Sequence, residues 1–166
     1  MLCAGLFMLF FGSAVGLLIV FIFRSWFIFF LGVAGVLGGF FWTANPVRFC
    51  YRFIGEPYIF LLFGPLPVWG SYYLQRERFD LVPLIPGIII GLLIAMVAQI
   101  NSFPDMKADA GVNKRTFVVR YGVEKGLMLY KFCIGSSYAA ALAGMVIVDY
   151  MLWAGLFFVL TFPLGA

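Results

Sequence analysis

A polar segment in the second half of the chain carries the side chains whose types and spacing could do chemistry. Asp105 and Asp109 are four residues apart, so their carboxylates would share one face of a helix. Asn101, four residues before Asp105, can add an amide oxygen to the same face. Two carboxylates this close repel each other unless a cation lies between them, and an oxygen-only ligand set with few protein donors is typical of Mg²⁺. We therefore expect Asp105, Asp109 and Asn101 to bind Mg²⁺, with the two aspartates as the catalytic pair.

Basic residues accompany this segment and predict an anionic substrate. Lys114 and Arg115 follow the aspartates directly and supply a point charge and a planar fork for phosphate oxygens. An earlier polar loop brings Arg48, Arg52 and Glu56. Together the two loops could hold a metal-bound diphosphate from both sides. A plainer interpretation stays open, in which the aspartates are solvated at a membrane surface and the bases only set membrane orientation.

Composition decides the class of protein. Hydrophobic residues make up 64% of the 166 residues, aromatic residues 20% and charged residues only 11%, with a mean hydropathy of +1.08. Soluble domains carry about 25% charged residues, so the soluble, disordered and collagen-like classes are excluded. There is no histidine, which excludes Ser-His-Asp triads and histidine-ligated metals. The net charge of +4 is explained by orientation in a bilayer, and we expect no nucleic-acid partner.

Charged residues divide the chain into six uncharged runs, and a helix needs about 20 apolar residues to cross a bilayer. These runs predict an all-α polytopic membrane protein with about six transmembrane helices, because barrel strands would alternate apolar and polar residues. Pro65 and Pro67 predict a kink in the third run, and clustered glycines predict close helix packing. The runs are 1–23, 25–47, 57–75, 81–104, 132–148 and 150–166, the last one short.

The distribution of basic residues predicts the orientation. Of the eleven Lys and Arg residues, Arg24, Arg76 and Arg78 fall on one side, and the other eight fall in or beside the second and fourth loops. Cytoplasmic loops are enriched in Lys and Arg. We therefore expect a multi-pass protein of the cell (inner) membrane whose two polar loops, and both termini, are cytoplasmic.

The motifs in these loops support a resemblance to a known family. The stretch from Asn101 to Gly122 reads N-x-F-P-D-x-x-x-D followed by K-R-T-x-x-V-R-x-G, and three weaker motifs accompany it. The chain resembles the UbiA family of intramembrane aromatic prenyltransferases, most closely the branch that prenylates 1,4-dihydroxy-2-naphthoate in menaquinone biosynthesis. The weaker motifs are Tyr51-Arg52-x-x-Gly55-Glu56, Phe63-Gly64-Pro65 and Gly70-Ser71-Tyr72-Tyr73-Leu74-Gln75.

The resemblance implies a fold of which this chain is one part. Family members form a nine-helix bundle around a central cavity, and residues 1–166 resemble helices three to eight, as one partial transmembrane prenyltransferase domain. The family's first aspartate motif lies in its second helix, and this chain has no Asp or Glu before Glu56. We therefore expect the chain taken alone to be inactive or very weak.

The resemblance also implies roles for the residues. Asp105, Asp109 and Asn101 resemble the Mg²⁺ site of the second aspartate motif, Lys114 and Arg115 the bases facing the diphosphate, and Tyr51, Arg52 and Glu56 part of the substrate-binding loop. Cys50 stands where a lysine is expected, and Asn113 replaces a glycine, although Asn tolerates a left-handed backbone well.

The implied reaction is transfer of a polyprenyl group from an allylic polyprenyl diphosphate to an aromatic acceptor within the lipid bilayer, with Mg²⁺ as the cofactor. Two alternatives remain open. One is prenylation of another aromatic or lipid acceptor, and the other is a non-catalytic membrane subunit or transporter-like protein.

Overall fold

The computed structural model describes residues 2–148 together with Leu156 and Leu160, and every regular element within them is helical. One 3₁₀ turn, Phe49–Tyr51, precedes the third helix. The α-helices are α1 (Leu2–Phe23), α2 (Trp26–Thr43), α3 (Gly55–Phe63), α4 (Pro65–Arg76), α5 (Leu84–Ser102), α6 (Met106–Gly111) and α7 (Phe117–Ile147).

Four of these helices, α1, α2, α5 and α7, are long and apolar enough to cross a membrane. The predicted third span is divided between α3 and α4 at Gly64, and Pro65 begins α4, where its missing N–H costs no intrahelical bond. The predicted kink is therefore confirmed. The fifth span begins earlier than predicted, since α7 starts at Phe117 and bends at Gly122, whose φ is +84°. The predicted sixth span, 150–166, lies outside the described residues apart from Leu156 and Leu160.

Helix α5 lies at the centre of the bundle and packs against α3, α4 and α7. Glycines allow this packing because they bring backbone against backbone. A Cβ at Gly91 would lie 2.6 Å from the carbonyl oxygen of Phe60, and a Cβ at Gly64 would overlap the carbonyl oxygen of Gly87. The predicted packing role of Gly87 and Gly91 is confirmed.

The glycines of α2 behave differently from one another. A Cβ at Gly38 would overlap the Tyr58 hydroxyl, but no described residue comes within 4 Å of a Cβ added at Gly32, Gly35 or Gly39. The predicted packing role is therefore confirmed at Gly38, and at Gly32, Gly35 and Gly39 it stays a prediction. Helices α1 and α2 pack on each other and expose many large apolar side chains, which suits contact with lipid.

The packing predicts a sharp difference between two glycine substitutions. We expect Gly64→Ala to lower the free energy of unfolding by about 2–3 kcal/mol, because the new methyl group meets backbone atoms of α5 that cannot rotate away. Gly135→Ala on α7 is the matched control, since none of the residues that the structure describes lies within 4 Å of its added Cβ. It should leave stability unchanged or raise it by up to about 1 kcal/mol. Unfolding in mixed micelles measures both values, and equal effects would contradict the packing at Gly64.

Candidate functional site

Two hydrogen bonds join the loop after α2 to the segment between α5 and α7. The backbone N–H of Arg115 donates to the carbonyl oxygen of Tyr51 at 2.9 Å. The N–H of Phe117, the first residue of α7, donates to Oε1 of Glu56 at 3.1 Å. A carboxylate at a helix N-terminus satisfies a free N–H and is favoured by the helix dipole. Glu56 therefore fixes the beginning of α7 against α3.

A polar cavity of about 320 Å³ lies between the two joined loops. It is lined by the ends of α2 and α5, the start of α3 and the loops that connect them. Six of the eight residues predicted from the sequence line it, while Asp109 and Arg115 do not. The lining residues are Trp42, Thr43, Cys50, Tyr51, Arg52, Gly55, Glu56, Ile59, Ala98, Asn101, Ser102, Asp105, Lys114 and Thr116.

Two side chains with oxygen atoms that could bind a metal ion, Asn101 and Asp105, line this polar cavity. Asn101 lies in the last turn of α5, Asp105 immediately precedes α6, and both are exposed. In the part of the chain that the structure describes, no group of three Asp, Glu, Cys or His residues could hold a metal ion. The donor set fits Mg²⁺, which is commonly held by one or two carboxylates with water and substrate phosphates completing its shell.

Asp109 is placed differently from Asp105, although one helical turn separates them. Its residue is only 8% exposed, and Nζ of Lys114 lies 3.0 Å from Oδ2 and 3.2 Å from Oδ1. The turn between Asp109 and Lys114 is closed by a hydrogen bond in which the N–H of Lys114 donates to the carbonyl oxygen of Asp109 at 2.9 Å. Asn113 adopts the left-handed conformation in this turn, with φ of +57°. In this arrangement Lys114 neutralises the charge of Asp109.

Arg52 and Lys114 are the cationic side chains that line the polar cavity among the described residues. Arg52 Nη2 donates to the carbonyl oxygen of Pro46 at 3.3 Å. The guanidinium of Arg48 instead lies 5.2 Å from the centre of the Tyr51 ring, as a cation–π contact. Burial raises the pKa of the Cys50 thiol despite the positive charge of Lys114 nearby, so this residue contributes no charge to the polar cavity at neutral pH.

Several residues that line the polar cavity were not predicted from the sequence. Trp42 and Thr43 end α2 immediately before the polar loop, and Thr116 precedes α7 and accepts a hydrogen bond from the N–H of Val119 at 3.5 Å. The position of Trp42 at the end of an apolar run was an available signal, because tryptophan is enriched at membrane interfaces. Thr116 belonged to the K-R-T motif without being assigned a role.

The fold defines a multi-pass helical membrane protein with a cavity lined by charged side chains at one end of its bundle. A family model for the UbiA prenyltransferase family matches residues 3–166. The chain belongs to this family, and the resemblance inferred from its motifs is confirmed. No solved structure matches the chain.

Three curated relatives illustrate the similarity. The 1,4-dihydroxy-2-naphthoate octaprenyltransferase of Haemophilus influenzae is 33% identical over 137 residues, covering 82% of this chain and 44% of the relative. The enzyme of the same name from Mycobacterium tuberculosis is 32% identical over 72% of this chain and 41% of its own length. The 2-carboxy-1,4-naphthoquinone phytyltransferase of Synechocystis is 28% identical over 70% and 38%. The chain thus spans less than half the length of these relatives.

The ion pair of Lys114 with Asp109 generates a stability prediction. We expect Lys114→Met to lower the free energy of unfolding by about 1–3 kcal/mol, because it leaves a buried carboxylate without its cation. Adding Asp109→Asn to this variant should restore part of the loss, giving a coupling energy of at least about 0.5 kcal/mol.

Lys107→Met is the matched control, since Lys107 is exposed on α6 and no ion pair is recorded for it in the described region. Its effect should stay within about 0.5 kcal/mol. Unfolding titrations in mixed micelles of Lys114→Met, Asp109→Asn, the double variant and Lys107→Met measure these values. Additive effects of the Lys114 and Asp109 substitutions would contradict the pairing.

Proposed function

We propose that the protein transfers a polyprenyl group from an allylic polyprenyl diphosphate to 1,4-dihydroxy-2-naphthoate, a step of menaquinone biosynthesis. The observation that carries this proposal is the polar cavity, whose lining includes the oxygen donors of Asp105 and Asn101 and the cations of Arg52 and Lys114. The names of the relatives support the substrate class, because three of them are octaprenyl or phytyl transferases acting on dihydroxynaphthoate or carboxynaphthoquinone.

Asp105 and Asn101 are the residues that we propose to hold Mg²⁺ in the polar cavity. When bound, the ion neutralises the diphosphate and makes it a better leaving group. Asp109 remains a predicted ligand, and in the described arrangement its carboxylate is occupied by Lys114. If Lys114 moved to a phosphate oxygen, the carboxylate of Asp109 would become free. Lys114 could therefore pair with Asp109 before the diphosphate binds and with the diphosphate afterwards.

The basic side chains of the polar cavity have a defined task in the reaction. The bond between the allylic carbon and the diphosphate oxygen breaks, and the electron pair leaves with the diphosphate. Arg52 and Lys114 stabilise that charge by hydrogen bonds and by Coulomb attraction. The ring carbon that carries the carboxylate forms the new bond to the allylic carbon, the carboxylate leaves that carbon as CO₂, and the electron pair of the broken carbon–carbon bond restores the aromatic ring.

An apolar groove of about 560 Å³ adjoins the polar cavity. It supports the proposal that the donor carries a polyprenyl chain. The groove and the polar cavity share Trp42, Ile59, Ala98 and Asn101. Gly35 and Gly39 line the groove with no side chain to fill it. A diphosphate in the polar cavity could therefore extend its hydrocarbon tail along α2, between the helices and lipid.

We place the polar cavity on the cytoplasmic side of the cell (inner) membrane. Two turns of the fold, at 24–25 and 77–83, lie at the end of the bundle opposite the polar loops, because each membrane-crossing segment reverses direction. Five of the eleven basic residues fall within the segments 44–56 and 101–116 and three more follow on α7, whereas three fall at the opposite end. This excess supports a cytoplasmic position for the end with the polar loops.

A single carboxylate substitution tests the proposed function. In the protein expressed from its complete reading frame, Asp105→Asn should lower Mg²⁺-dependent turnover of octaprenyl diphosphate and 1,4-dihydroxy-2-naphthoate by on the order of 100-fold, because one anionic ligand is lost. It should also abolish the Mg²⁺-dependent part of the binding of a non-hydrolysable prenyl thiolodiphosphate.

Asp80→Asn is the matched control for this experiment. Asp80 lies in the turn before α5 at the opposite end of the bundle, where the N–H of Val82 and the hydroxyl of Tyr72 hold the pKa of its carboxyl below the usual value. The control should keep wild-type turnover. Full turnover of the Asp105 variant, or equal losses in both variants, would contradict the proposal.

A further inference from the structure

Arg120 belongs to the K-R-T-x-x-V-R-x-G motif, but it does not line the polar cavity. Its guanidinium lies 4.8 Å from the centre of the Phe53 ring and 5.4 Å from the centre of the Tyr121 ring, as cation–π contacts. Phe53 lies in the loop between α2 and α3, whereas Arg120 and Tyr121 lie near the beginning of α7. The side chain of Arg120 therefore connects the two segments that enclose the polar cavity.

The backbone leaves the helical conformation on both sides of the segment that carries Arg120. Asn113 is left-handed, with φ of +57°, and Gly122 interrupts α7 with φ of +84°. Residues 117–121 are thus separated by a kink from the continuous part of α7. Contacts with other segments must therefore help to fix the position of this first part of the helix.

The contact of Arg120 adds to the two hydrogen bonds that Arg115 and Phe117 donate to the earlier loop. Among the described residues no ion pair involves Arg120, so its charge is stabilised by aromatic rings rather than by a carboxylate. A planar, weakly hydrated guanidinium is well suited to stack on such rings. The ring of Tyr121 in turn packs on that of Phe117, with 4.8 Å between their centres, which joins the stack to the first residue of α7.

We infer that Arg120 is a positioning residue for the diphosphate site, because its stacking on Phe53 holds the beginning of α7 against the 44–56 loop. This inference rests on the proposed function, which places a prenyl diphosphate in the polar cavity. Phe53 directly follows Arg52, and Arg120 belongs to the segment that begins at Lys114. The contact therefore limits how far these two lining cations can move apart, and a site whose groups are already held in place binds its ligand at a lower entropic cost.

A direct effect of the charge of Arg120 would give a different pattern of variants. Neither Arg120 nor Phe53 lines the polar cavity, so we expect neither to touch a diphosphate there. If Arg120 acted only through its charge, removal of the Phe53 ring would leave diphosphate binding unchanged. If it acts through the stack, Arg120→Met and Phe53→Leu should have similar effects, and the double variant should bind no more weakly than the weaker single variant.

The first measurement is amide hydrogen exchange, made without ligand on the protein expressed from its complete reading frame and held in nanodiscs. Arg120→Met and Phe53→Leu should each raise the exchange rate of the Arg115 and Phe117 N–H groups by about three- to tenfold. This range corresponds to the loss of one cation–π contact, which makes local opening of the segment more frequent.

The second measurement is calorimetric titration of the same proteins with inorganic diphosphate in the presence of Mg²⁺. The dissociation constant should rise by about three- to tenfold in both single variants and in the double variant, because the two lining cations are no longer held at a fixed separation.

Lys125→Met is the matched control for both measurements. Nζ of Lys125 lies 5.7 Å from the centre of the Tyr121 ring, but this contact stays within α7 and does not reach the 44–56 loop. The control removes the same charge as Arg120→Met, and its exchange rates and dissociation constant should equal those of the wild type.

The two measurements separate this inference from the proposed function. Faster exchange together with weaker diphosphate binding in the Arg120 and Phe53 variants, but not in the Lys125 variant, supports the positioning role. Unchanged exchange overturns it, and so does faster exchange with unchanged binding, which would leave the stack a purely structural role. Absence of diphosphate binding by the wild type would contradict the proposed function instead, while the exchange rates would still support or overturn the docking of α7 by Arg120.

Discussion

The hydrogen bond from the N–H of Phe117 to the carboxylate of Glu56 is the constraint on which the site depends. A helix that begins at a membrane surface has unpaired N–H groups, and in a dry environment each must find an acceptor. Glu56 supplies one from α3, and the bond from Arg115 to Tyr51 adds a second tie between the same segments. These two contacts hold the two loops together, and the polar cavity is the space between them.

Much of the fold could be predicted from the sequence, because uninterrupted apolar runs indicate membrane-spanning helices. The break at Gly64 followed from Pro65, and the left-handed turn at Asn113 followed from the tolerance of asparagine for that conformation. Glycine spacing was a poorer guide. Gly87 and Gly91 meet a neighbouring backbone, whereas no residue in the described ranges comes within 4 Å of a Cβ added at Gly35 or Gly39. The spacing along one helix carries no information about what lies opposite.

The candidate site was predicted as a set of residues but not as an arrangement. Six of the eight predicted side chains line one cavity, but Asp109 turns to Lys114 and Arg115 contributes its backbone. The contact of Glu56 with Phe117 spans 61 residues, and no local pattern foretells such a partner. Glu56 lines the polar cavity and also accepts the hydrogen bond that fixes the start of α7. Its isolated position in the sequence did not indicate this second, structural role.

We propose that both polar loops form one prenyl diphosphate site. Photolabelling with a prenyl diphosphate analogue that carries a diazirine beside the diphosphate, followed by mass-spectrometric mapping, tests this claim directly. We expect Mg²⁺-dependent adducts on both the 44–56 and the 101–116 segments. Adducts confined to one of these segments, or located in the 77–83 turn at the opposite end, would contradict it.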